Sequence, residues 1–144
     1  MSFAKAQSAL KEYGKVGVQS GAEFASPHRL IQMLMEGALE KISAAKGFMQ
    51  RGDISKKGNY ISWAISIIEG LRISLDFENG GEIAENLNNL YEYMKMRLVE
   101  ANLHNSEEIL DEVVNLLNTV KSGWDAIPED VRQNHVPKST PINR

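Results

Sequence analysis

The chain has 144 residues, 42% of them hydrophobic and 24% charged, with a net charge of −3, which suffices for one domain with its own core and no metal or disulfide support. Acidic and basic residues are interspersed, so there is no dense cationic field for a phosphate backbone, and no nucleic-acid partner is expected. Cysteine is absent, removing disulfides and thiolate chemistry; without a signal-peptide core or a membrane-length apolar run, the protein is expected in the cytosol with no membrane insertion.

In chain order, residues 1–25 read as an N-terminal arm, 26–125 as four long helical patterns and 126–144 as a flexible tail. In the arm, Leu10, Tyr13, Val16 and Val18 are apolar in a segment with weak helical caps. Two roles are open to them: lying over a groove of the bundle, or plugging one of its ends.

Ser26 followed by Pro27 predicts a helix entrance, because the serine oxygen accepts an orphan amide and proline has none to satisfy. The first helix is expected over Ser26–Gln50. Gly52 suits the left-handed residue that closes it, and Asp53 caps the second helix, Ile54–Phe77. The turn Asn79-Gly80-Gly81 leads to Glu82, favourably placed against the dipole of a third helix ending at Leu103. Asn105 with Glu108 has capping-box spacing, and the fourth helix runs from there to Trp124. Beyond it, Pro128, Pro137 and Pro141 interrupt a polar stretch with little to bury.

Four helices joined by short turns must pack as antiparallel neighbours. The expected fold is all-α, an antiparallel up-down four-helix bundle with an N-terminal arm and a flexible C-terminal tail. No strand-like alternation or internal repeat competes with it.

Placing apolar residues on helical wheels shows more apolar surface than one core needs. On the second helix Ile61, Ala64, Ile68, Leu71 and Leu75 form a core stripe, and Tyr60, Trp63 and Ile67 form a second one at i, i+3, i+7. Together they span roughly 200°, against the ~100° that faces a single core. On the fourth helix Ile109, Val113, Leu116, Val120 and Trp124 make the core stripe, widened by Leu110, Val114 and Leu117. The third points Ile83, Leu87, Leu90, Met94, Leu98 and Ala101 inward, with Met96, Val99 and Leu103 partly around the other side. Wide arcs also arise when a helix simply touches two neighbours. Excess on both nonadjacent helices, however, predicts one external groove for an amphipathic partner segment, and an exposed stripe also allows a weak homodimer.

Catalytic, cofactor and metal sites are not expected. Di-iron bundle enzymes need paired Glu-x-x-His motifs, which are missing. His28, at a helix entrance, His104, near a helix end, and His135, in the tail, are not expected to converge, and Glu100 with His104 reads as a surface pair. Gly80 and Gly81 alone do not make a phosphate loop.

Specific residues then carry a resemblance: the arm from Tyr13 to Val18; Ala25-Ser26-Pro27-His28-Arg29-Leu30-Ile31 with Met33, Leu34, Gly37 and Ala38; the Gly52-Asp53 turn; Gly80 to Ala84 with Asn86, Leu87, Leu90, Tyr91, Tyr93, Met94, Arg97, Leu98, Ala101 and Asn102; and Asp111 to Val113 with Trp124. From Leu10 to Trp124 the chain resembles the flagellar secretion chaperone family that binds flagellin. Met35-Glu36 departs from an aromatic-aspartate pair often found there, keeping its character. The resemblance implies a cytosolic chaperone that takes the disordered C-terminal segment of flagellin, prevents premature polymerisation and presents it to the export gate. It also implies a binding role for Leu10 and Tyr13. Without it, the same groove would serve a generic helical adaptor or regulator-binding module.

Overall fold

A computed structural model describes residues 25–128 together with 130 and 131. Four helices occur among them, α1 (Pro27–Gln50), α2 (Ile54–Ile73), α3 (Phe77–His104) and α4 (Glu107–Asp125), and no strand. Each is entered through a side-chain cap that satisfies an otherwise orphaned amide. The Ser26 side chain accepts from the Arg29 amide with Pro27 in the first turn. Asp53 accepts from Lys56 after Gly52 has taken the left-handed turn.

Two boundaries differ from expectation. First, α2 stops at Ile73, and α3 begins at Phe77 because Asp76 accepts from the amides of Glu78 and Asn79. The expected glycine turn is present inside α3 as a break at Gly81 (φ 50°, ψ −125°), a conformation that suits only glycine. The long straight part of α3 therefore starts at Glu82, as the dipole argument anticipated.

Second, Asn105 does not cap α4. It closes α3 in the left-handed conformation (φ 54°), and Ser106 caps α4 by accepting from the Ile109 amide. Asparagine tolerates that conformation better than other side-chain-bearing residues, which decides between the two adjacent candidates.

The chain runs up, down, up, down, each helix packing chiefly on two neighbours in the cyclic order α1, α2, α3, α4, with α1 against α2 the most extensive contact. Leu30, Leu34, Ala38 and Ile42 of α1 meet Ile61, Ala64, Ile68 and Leu71 of α2, Tyr91, Met94, Leu98 and Ala101 of α3, and Leu110, Val113 and Leu117 of α4 in one core. Polar clamps hold both ends. At the lower end the Trp124 ring stacks on His28 at 4.7 Å and its indole N–H donates to the His28 carbonyl, while the Gln32 amide donates to Asp125. At the upper end the buried Lys57 ammonium donates to the carbonyl of Asn102 and the side-chain oxygen of Asn105. A cation is favoured there by the negative end of the α3 dipole.

Candidate functional site

The expected external groove depends on which residues of α2 and α4 reach solvent. Leu110 and Leu117 have 0% exposure and Ile67 has 4%, so all three are core residues and present no surface. On α4 the expected stripes shift: Val113 keeps its core place, Leu110 and Leu117 join it in the buried seam, and Ile109, Leu116, Val120 and Trp124 pack partly buried against the core. A wheel gives the angles between residues but not the direction of the bundle centre, so neighbouring stripes are easily transposed.

Tyr60 and Trp63 are half-buried and turn toward α1. The Tyr60 ring stacks on Phe48 at 5.3 Å and on Trp63 at 5.7 Å, and the Lys41 ammonium sits 4.1 Å over the Trp63 ring. Val114, also half-buried, lies on the flank of α4 whose Asp111 and Lys121 pair with Lys46 and Glu36 of α1. The two second stripes thus pack along opposite flanks of α1, which stands between them. Contact with two neighbours explains their width, and they do not join into one groove. Leu10, Tyr13, Val16 and Val18 lie outside the described residues, as does His135.

Exposed apolar surface is concentrated instead on α3 and the helix ends. Met96, Val99 and Leu103 are 50%, 54% and 75% exposed, and Ile54, at the adjoining start of α2, is 73% exposed. A second patch gathers at the turn between α2 and α3, where Ile73, Phe77 and Ile83 are all exposed. Ile83 departs from its expected inward position. The side-chain bonds between α3 and α4 come from Tyr93 and Arg97, in the second half of α3, whereas the last turn of α4 is tied to α1 through Trp124 and Asp125. Ile83 is left uncovered. The α3 excess was visible on the wheel; its dominance was not, because equal arcs on α2 and α4 concealed it.

Electrostatics organise the flanks of α3. Arg72 and Lys95 bracket Glu69 at 2.6 and 2.5 Å, and both also reach Glu92. The hydrogen bond from Arg72, aided by Lys95, holds the Glu69 carboxyl at about 2 instead of the ordinary 4.5. On the other flank Arg97 binds Glu112 and Glu100, and the Tyr93 hydroxyl donates to Glu112. That hydrogen bond is the main cause of the lowered Glu112 carboxyl. Burial pushes the Tyr91 phenol well up. Each shift thus arises from an ion pair, a hydrogen bond or burial in the framework.

Among the described residues no cluster of acidic and histidine side chains has the makings of a metal site. His28 and His104 sit at opposite ends of the bundle, at the start of α1 and the end of α3. Glu100 pairs with Arg97. An open groove of about 470 Å³ runs along α4, lined by Glu108, Asp111, Glu112, Asn115, Leu116 and Thr119. No described helix is long and apolar enough to cross a membrane.

The family model described as flagellar protein FliS matches residues 9–131. The flagellar secretion chaperone FliSB of Pseudomonas aeruginosa is 54% identical over 122 residues, covering 85% of this chain and 97% of that protein. The flagellar secretion chaperones FliS of Salmonella typhimurium and Vibrio cholerae are 46% and 43% identical over 121 residues; the matches cover 83% and 84% of this chain and 90% and 89% of those proteins.

Proposed function

Because this chain belongs to the FliS family of flagellar proteins, we propose that it works in the cytosol as an export chaperone for flagellin. It binds the disordered C-terminal segment of flagellin, keeps it from polymerising early and hands it to the flagellar export gate. Membership of a chaperone family implies binding, with no catalysed reaction.

The observation that carries this reading is an exposed apolar surface on a bundle whose core is already complete. Met96, Val99, Leu103 and Ile54 belong neither to the core nor to the side chains packed against it, and each exposes half or more of its surface. A segment that polymerises through apolar helical faces must have those faces covered before assembly, and such side chains can cover them. Each large side chain removed from water on both partners contributes up to about 1.5–3 kcal/mol before ordering costs. The partly buried Tyr60, Trp63 and Val114 and the arm residues Leu10, Tyr13, Val16 and Val18 are further proposed contacts. Folding of the client on the surface costs several kcal/mol, which keeps the complex reversible, as export requires.

Titration with a peptide from the cognate flagellin C-terminus, followed through Trp63 and Trp124 fluorescence, tests the reading. Saturable binding at micromolar peptide is expected, and its absence would refute the proposal. Changing Leu10 and Tyr13 together to alanine should weaken binding while the bundle stays folded; unchanged binding would remove the arm from the site.

A further inference from the structure

The outward face of α3 carries a pattern that a general apolar patch would not need. Asn88, Lys95 and Asn102 turn toward α2, where Arg72, Glu69 and Lys57 hold them. Tyr93 and Arg97 turn toward Glu112 of α4, and Tyr91, Met94, Leu98 and Ala101 fill the core. One outward stripe carries Glu82, Glu85, Asn89 and Glu92 followed by Met96, Val99 and Leu103, every one of them exposed, with the exposed Ile83 and Asn86 beside its first half.

Their spacing alternates three and four residues throughout, the heptad rhythm of a helix-packing seam. The seam is polarised. Its first half is acidic, and among the described residues Glu82 and Glu85 form no ion pair, whereas Glu92 pairs with Arg72 and Lys95. Its last two turns are apolar. The Lys57 hydrogen bonds to Asn102 and Asn105 set the start of α2 beside this apolar end, so the exposed Ile54 extends it.

A second copy of the chain fits poorly on such a seam. Antiparallel pairing over its full length would set Met96, Val99 and Leu103 against Asn89, Glu85 and Glu82, and parallel pairing would set acid against acid. Both arrangements strand groups that need a different neighbour.

We infer that the outward seam of α3 docks an amphipathic helix of another polypeptide, apolar over about two turns of its own seam and lysine- or arginine-bearing over the turns beside them. The apolar turns sit on Met96, Val99, Leu103 and Ile54. The basic turns lie along Glu82 and Glu85, where charge pairing selects the direction and register of the docked helix more than it adds affinity. This rests on reading the exposed α3 residues as an interaction surface, and it holds whether or not that helix belongs to flagellin.

The test uses the full chain and two synthetic helical peptides with the same leucine seam, one continued by lysines and the other by glutamates, with binding read by fluorescence anisotropy. At low salt the lysine peptide should bind at least about tenfold more tightly, and the gap should shrink at high salt. Glu82→Lys with Glu85→Lys should reverse the preference, and Met96→Ser with Val99→Ser and Leu103→Ser should weaken both peptides. Equal affinities, no binding of either peptide, or a preference that survives the charge reversal would overturn the inference. So would self-association in sedimentation that disappears with the triple serine substitution. Loss of the peptide preference while the flagellin segment still binds would leave the proposed function standing. A retained preference with no flagellin binding would leave the seam standing without that client.

Discussion

Leu117 and Leu103 allow one substitution to be compared on the two sides of the line between core and surface. Leu117 of α4 has 0% exposure and Leu103 of α3 has 75%. Leu117→Ala removes three buried carbon atoms and opens a cavity in the common core; such changes cost about 2–5 kcal/mol. Packing of this side chain inside the common core resists collapse, so about 3 kcal/mol is expected, or a fall in melting temperature of about 10 °C at this chain length. Leu103→Ala removes the same atoms from water and places a better helix former in the last turn, so stability should stay within about 0.5 kcal/mol. Urea unfolding followed by circular dichroism measures both, with an unchanged slope confirming that the unfolded state is unaltered. A Leu117→Ala variant within about 1 kcal/mol of the parent, or one less destabilised than Leu103→Ala, would refute the assignment of α4's buried seam.

Three further perturbations probe the framework. Lys57→Met leaves the Asn102 carbonyl and the Asn105 side chain without their buried donor and should cost about 2 kcal/mol in the same assay. Gly81→Ala forces a side chain into a conformation at φ 50°, ψ −125° and should cost about 1–3 kcal/mol, straightening or fraying the start of α3. The Glu69 carboxyl lies at about 2 when folded and near 4.5 when free. Its contribution to stability is therefore fully present above pH 4.5 and lost progressively as the pH falls toward 2. Glu69→Gln should flatten the pH dependence of the melting temperature within that window, and an unchanged slope there would contradict the ion-pair account.

Backbone chemistry was read well where one residue type has one physical use. Ser26-Pro27 and Gly52-Asp53 mark their turns without ambiguity, because proline lacks the amide a helix start would orphan and glycine alone takes positive φ freely. The turn Asn105-Ser106 offers two plausible caps in a row, and only the path of the chain shows that one closes α3 and the other opens α4. Lys57 could not have been found from its residue type, since lysine is ordinarily exposed and the carbonyls it serves come from the far end of another helix. The candidate surface was legible in kind but displaced in position. Tyr60, Trp63 and Val114 widen their helices because α1 lies against both. Met96, Val99 and Leu103, noted as lying partly around the other side, prove to be exposed.

Calorimetric titration of the flagellin C-terminal segment into the parent chain and into the Met96→Ser, Val99→Ser, Leu103→Ser variant tests the central claim most directly. The parent should bind with a negative heat-capacity change, the mark of apolar burial. The variant should melt close to the parent, because half or more of each of those side chains is already in water, yet bind at least about tenfold more weakly, a difference of about 1.4 kcal/mol. A folded variant that binds the segment as tightly as the parent would contradict the assignment of the client to this surface.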